Sequence, residues 1–233
     1  MNKENELQYY LSVSPNKYGI YLFDTKKLTN LYKEEIILNN DTNYQNYDEL
    51  KKFLDDNIFK IEKLSGKFIE NIFLILEDIK IFNLEIGIKK KNYNISVTKQ
   101  HLKNLLIEGK DLIRENYQDQ KIMHMVINKY LIDNTSYVSF EENLKSDSFA
   151  LEIKFHSISN TIINDLNKIL ENYQIKIIKY LDGDYIKNLF RENKELSFMS
   201  HEILKGYNKN EISFSSKNLK KLGFFEKFFL LFS

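Results

Sequence analysis

Apolar residues in this chain change their spacing repeatedly, and that change of period is the strongest constraint on its fold. Tyr9 to Val13 (YYLSV) and Lys17 to Phe23 (KYGIYLF) are short aromatic and β-branched runs around Ser14-Pro15-Asn16, a turn signal, and predict two strands. Asn30 to Leu38 predicts a third. From Asn46 to Leu64 the spacing switches to three and four: Tyr47, Leu50, Phe53, Leu54, Ile58, Ile61 and Leu64 form one stripe, an amphipathic helix closed by Ser65-Gly66. Asn71 to Glu77 reads as a buried strand and Ile79 to Lys89 as a partly alternating one.

The second half repeats the mixture. Thr98 supplies an N-cap hydroxyl ahead of Leu102, Leu105, Leu106, Leu112 and Ile113, so a helix starts there. Lys121 to Ile132 and Phe149 to Ser157 are strand-like, Ser159 to Tyr173 helical, Gln174 to Tyr180 a strand, and Asp184 to Arg191 a short helix. Ser197 to Leu204 is a further helical stretch, and Tyr207 to Lys217 reads as a polar linker. Strands and helices mix without strict alternation, so a mixed sheet of α+β or α/β type is expected. No repeat of about 20–50 residues is present.

Composition removes several functions. The chain has no cysteine, which excludes disulfides, thiolate nucleophiles and cysteine-held metal or iron–sulfur sites. Its formal net charge of +1 argues against a dedicated nucleic-acid binder, which needs a basic field to neutralise phosphates. Met1 to Gln8 is polar, without the apolar core of a signal peptide, and no apolar run reaches the ~18 residues of a spanning helix. A cytoplasmic protein is expected. His101, His124, His156 and His201 follow no metal-binding spacing, and only His124 and His156, both in predicted strands, are placed to meet. Phosphate-loop, dinucleotide and nucleophile-elbow motifs are absent, and paired acids such as Glu34-Glu35 and Asp55-Asp56 read as solvated surface.

Against this background Val97 to Leu181 resembles the inserted SHS2 (1C) subdomain of FtsA, the actin-like ATPase relative of the bacterial cell-division machinery. VTKQHLKNLLIEGKDL (Val97 to Leu112) is similar to the family's opening helix. KIMHMVINKYLID (Lys121 to Asp133) is similar to its strand of form v-l-H-v-i-P-..-y-.-v-D at His124, Tyr130 and Asp133, with Ile127 where the family has proline. Leu144 to Glu171 and Tyr173 to Leu181 resemble the strand, helix and strand that come next. LSVSPNK (Leu11 to Lys17) stands where the family has its first phosphate loop, so the likeness covers roughly the first 190 residues as an ordered series.

The resemblance implies residues 1–95 as a remnant of the first actin-like lobe, 96–191 as an SHS2-like lobe, 192–218 as helix and polar linker, and 219–233 as an amphipathic helix. It also implies lost ATPase function. The family's acidic residue and glycine at the phosphate loop are replaced by Ser12 and Ser14, followed by Pro15. Only about fifty residues follow Leu181, too few for a second actin-like lobe. A non-catalytic chain without cofactor is expected. The implied function is a divisome adaptor whose SHS2-like lobe binds other division proteins. FtsZ contact is in doubt, because FtsZ docks on the missing lobe. A PilM-like pilus or secretion adaptor is the alternative, and a small-molecule binder or enzyme with a dispersed site the third.

The tail, LKKLGFFEKFFLLFS (Leu219 to Ser233), is the sharpest feature. On a helix Phe225, Phe228, Phe229 and Phe232 share one face, widened by Phe224 and Leu231, with Lys220, Lys221 and Lys227 at the polar margin. Aromatics with flanking lysines suit an anionic membrane interface, and FtsA-like proteins end in such a helix. The expected location is the cytoplasmic face of the inner membrane, at the division site. The alternative is a helix folded back on its own core. Burying four Phe contributes at most about 6–12 kcal/mol, while ordering the segment costs ~10 kcal/mol. One tail therefore binds marginally, and self-association or a membrane-bound partner would add avidity.

Overall fold

A computed structural model describes residues 6–38, 47–192 and 194–212. It is a mixed α+β structure with two separate sheets, and the chain divides into two compact units, residues 1–80 with 161–207 and residues 81–160 with 208–233.

The first unit is built on β1 (Leu7–Val13), β2 (Lys17–Asp24), β3 (Thr29–Ile37), β4 (Asn71–Leu76) and β9 (Lys176–Asp182), in the order β3-β2-β1-β4-β9. The first three strands form an antiparallel meander, while β4 runs parallel to β1 and β9 parallel to β4. Side chains of β1 and β2 are buried almost without break, because both faces of the sheet are covered. On one face α1 (Tyr47–Ser65) brings Phe53 against Tyr18, with ring centroids 6.2 Å apart. On the same face α3 (Asn160–Glu171) receives the Tyr180 hydroxyl of β9 at Asn167. The opposite face carries α4 (Gly183–Leu189) and α5 (Leu196–Leu204), whose Ile186, Leu196, Met199 and Ile203 pack on Tyr10, Tyr21, Phe23, Ile75 and Leu181.

The second unit is an antiparallel sheet of β5 (Phe82–Ser96), β6 (Gln120–Ile132), β7 (Thr135–Tyr137) and β8 (Lys145–Ser159), in the order β5-β8-β6-β7. One face is packed by α2 (Lys99–Asn116), whose Leu102, Leu105, Leu106 and Ile113 meet Ile88, Ile127, Leu151 and Phe155. Thr98 caps that helix reciprocally. Its hydroxyl accepts from the His101 N–H, and its own N–H donates to His101 Nδ1. Gly109 lets α2 come close, since a Cβ there would stand 2.9 Å from Ile88 Cδ1 and 3.1 Å from Ile153 Cδ1. The two-residue turn between β6 and β7 is Asp133-Asn134, both with positive φ, as a tight hairpin requires.

Strand pairing groups the elements differently from the boundaries expected at 95/96 and 191/192. β5 pairs along its length with β8 and so joins the second unit, while α3, β9 and α4 join the first through the parallel pairing of β9 with β4. Both pairings link strands far apart in sequence, which local periodicity does not encode. The second unit is thus an insertion between β4 and α3. The expected polar linker also starts differently, because residues 210–212 lie against β6. Ile127 N–H donates to Asn210 O at 2.9 Å and Ile212 N–H to Met125 O at 2.8 Å. The proposed membrane helix of residues 219–233 lies outside the described residues. Among the described residues no helix is long and apolar enough to cross a membrane.

Candidate functional site

In an open sheet with parallel strands, ligands approach the carboxyl ends of those strands, here the ends of β1, β4 and β9. The register puts Ser12 opposite Gly19 on β2 and Ile75 on β4, and Gly19 opposite Glu35 on β3. Alternation then sets Ser12, Gly19, Tyr21, Glu35 and Glu77 on one face, the face that α4 and α5 cover further along.

This strand end is occupied by the protein's own side chains. Tyr21 lies across the bare Cα of Gly19, where a Cβ would stand 2.5 Å from the Tyr21 hydroxyl and 2.8 Å from Ser12 Oγ. The hydroxyl donates to Glu35 Oε1 at 2.6 Å, and Lys17 Nζ reaches the same oxygen at 2.8 Å. Burial, followed by the hydrogen bond to Glu35, pushes the Tyr21 hydroxyl far above its ordinary value. Burial also opposes charge on Glu35, but the bonds from Lys17 and Tyr21 outweigh it and hold this carboxyl below the usual range.

Ser12 Oγ is buried there without a hydrogen-bond partner among the described residues, while the other polar groups nearby are engaged. Ser14, at the expected phosphate loop, closes its own turn: its N–H and hydroxyl donate to Lys17 O at 2.9 and 3.1 Å, and its Oγ accepts from Asn16 N–H. Glu77, at the end of β4, pairs with Lys187 of α4. Asp182, at the end of β9, caps α4 by accepting the N–H groups of Asp184 and Tyr185, each at 3.0 Å. Burial raises the Asp184 carboxyl, which accepts from the Asp78 N–H at 3.2 Å.

A phosphate and its metal need an unclaimed carboxylate and a close backbone approach. The end of β1 offers neither, because the residues there are Ser12 and Ser14, which carry no carboxylate, and the Tyr21 ring fills the space over Gly19. The residues present do not fit a nucleotide-bound metal. Sequence reasoning found Ser12 and Ser14 but missed Tyr21, Gly19 and Glu35. The available signal was a glycine inside the run KYGIYLF, where a strand interior normally avoids one.

The second polar group is in the inserted unit. His124 and His156 are cross-strand neighbours on β6 and β8, with rings 6.0 Å apart and nearly perpendicular. His124 Nδ1 lies 2.8 Å from Glu211 Oε1, in the segment that lines β6. All three side chains are buried, at 1%, 6% and 7% exposure, so solvent scarcely reaches them. Among the described residues no three His, Cys, Asp or Glu side chains converge to hold a metal ion. The residues that follow the family's strand pattern thus take structural roles. His124 holds Glu211, the buried Tyr130 places its hydroxyl 3.5 Å from Asn210 Oδ1, and Asp133 turns the hairpin while accepting the Asp147 and Ser148 N–H groups at 2.9 Å. The membrane-facing candidates from Lys220 to Phe232 lie outside the described residues.

No family model matches the chain. Over 207 residues, 84% of its length, it is 29% identical to Protein PFC0760c of Plasmodium falciparum (isolate 3D7), of which it spans 5%. Among solved structures it is similar to the cytoplasmic domain of EpsL, an inner-membrane component of the type II secretion system of Vibrio cholerae, with 8% identity, a TM-score of 0.37, and coverage of 77% of this chain and 57% of that one. It is also similar to a Bacteroides thetaiotaomicron protein with an actin-like ATPase fold, at 10% identity, TM-score 0.35 and coverage of 80% and 56%. The PilM–PilN type IV pilus biogenesis complex matches at 4% identity, TM-score 0.42 and coverage of 77% and 48%. The chain spans about half the length of each of these chains. At these identities and TM-scores the likenesses carry neither function nor partners.

Proposed function

We propose that this chain is a non-catalytic adaptor in a bacterial membrane-associated assembly, built on an actin-like lobe whose nucleotide space is filled from within. The observation that carries the reading is Tyr21 over Gly19, with its hydroxyl bonded to Glu35 at 2.6 Å. Such a strand end holds itself shut without a ligand. The sheet order β3-β2-β1-β4-β9, with a whole unit inserted between β4 and α3, supports the actin-like plan implied by the sequence.

The setting we infer is the division machinery, with the inserted unit as the protein-binding part. Phe224, Phe225, Phe228, Phe229, Leu231 and Phe232 touch the inner membrane, and Lys220, Lys221 and Lys227 face its anionic headgroups. A pilus or secretion assembly is the alternative setting for the same role. Cell-wall and division genes beside this one would favour the first, and pilus genes the second.

Calorimetric titration with magnesium ATP tests the reading. The filled strand end predicts no heat of binding at micromolar nucleotide, and a micromolar dissociation constant would overturn the non-catalytic assignment.

A further inference from the structure

Strand β5 carries the longest open edge among the described residues. It runs for 15 residues and pairs with β8 on one side, and no described strand takes the other. Open edges of this length are templates for another chain, and proteins usually interrupt them. The interruption in β5 comes late, at Tyr93 and Asn94, whose φ values of 52° and 57° accompany a register shift after Lys91. From Phe82 to Lys91 the pairing is regular.

Two features mark this regular stretch as a docking edge. Gly87 sits in its middle, with regular register and nothing within 4 Å of where a Cβ would stand, so neither a turn nor internal packing requires it. A strand-interior glycine weakens the strand and is expected where another backbone approaches closely. Beside the far end of the stretch, between β5 and the first turns of α2, is a cavity of about 250 Å³ lined by Lys90, Lys91, His101, Asn104, Leu105 and Phe149. Lys90 is paired with Glu108 at 2.9 Å and Lys89 contacts the Asn134 amide oxygen, so the triplet Lys89-Lys90-Lys91 brings more positive charge than its neighbours neutralise.

We propose that β5 is a strand-addition edge for an extended acidic peptide of a partner protein, its main chain pairing along residues 82–91 and one carboxylate side chain entering the cavity beside Lys90, Lys91 and His101. Main-chain pairing supplies affinity in this mode, and the pocket for an alternate side chain supplies selectivity. A second copy of the chain would bring a further lysine triplet to this edge and not the carboxylates that the lysines call for. This inference rests on the adaptor reading and names the chemistry of the partner.

The test uses the full chain and a synthetic peptide of alternating Glu and Val, with a Lys and Val peptide as control. Fluorescence anisotropy reads binding, and amide hydrogen exchange locates it. Binding of the acidic peptide alone is expected, with new protection confined to alternate amides of residues 82–91. The double substitution Lys90→Glu with Lys91→Glu should weaken it about tenfold or more. If that variant fails to fold, the exchange map of the unaltered chain decides. No binding, equal binding of the basic peptide, or protection outside β5 would overturn the proposal. Protection of β5 that grows with protein concentration alone would overturn it in favour of self-pairing. The nucleotide titration is independent, so failure of the edge and failure of the adaptor reading are distinguishable.

Discussion

The Tyr21 hydroxyl donates to Glu35 Oε1 at 2.6 Å across the bare Cα of Gly19, joining β2 to β3 beside the carboxyl end of β1. The arrangement depends on the missing Cβ. Gly19→Ala places a methyl group 2.5 Å from the hydroxyl oxygen and should destabilise the fold by about 2 kcal/mol. Tyr21→Phe removes that oxygen, so the double variant should recover part of the loss. Urea unfolding of the four proteins in the cycle measures the coupling. Additive effects would show that Tyr21 and Gly19 do not share the space.

His201 predicts a pH dependence. It is buried, its Nδ1 lies 2.7 Å from Gln8 Oε1, and its Nε2 is buried without a hydrogen-bond partner. Burial, aided by Lys205, lowers its pKa to about 4. The unfolded chain therefore binds a proton that the folded chain refuses. Stability should fall as pH drops from the ordinary histidine value of about 6.5 towards 4, by about 2 kcal/mol. His201→Gln should flatten that part of the curve. Unfolding midpoints at several pH values, compared between the two proteins, check it.

The segment 210–212 should depend on Glu211. Glu211→Ala removes the carboxylate 2.8 Å from His124 Nδ1 and should cost about 1–3 kcal/mol. Amides of Ile127 and Ile212, which bond across this edge, should exchange faster, while those of β5 and β8 keep their protection. Uniform loss of protection would make the contact global and not local.

What the sequence revealed and concealed follows from range. Element types were legible because they rest on local spacing: the stripe from Leu50 to Ile61 is α1, and Thr98 caps α2 as its hydroxyl predicts. Partners were not, since β9 finds β4 about a hundred residues away around an inserted unit. The strand expected to end at Lys89 runs on to Ser96, because Lys89 to Lys91 and the two positive-φ residues beyond break the alternation that marks a strand. In the candidate site, His124 and His156 could be paired in advance from two predicted strands. Glu211 could not, since a single buried carboxylate in YNKNEISFSSK looks like every other polar residue of a linker.

The most direct test of the adaptor account is fluorescence localisation of the full chain in dividing cells of its own organism, beside a version lacking residues 224–233. The account predicts a signal at the membrane, concentrated at the division site, that becomes diffuse on truncation. A diffuse signal from both proteins, or a membrane signal that survives truncation, would contradict it.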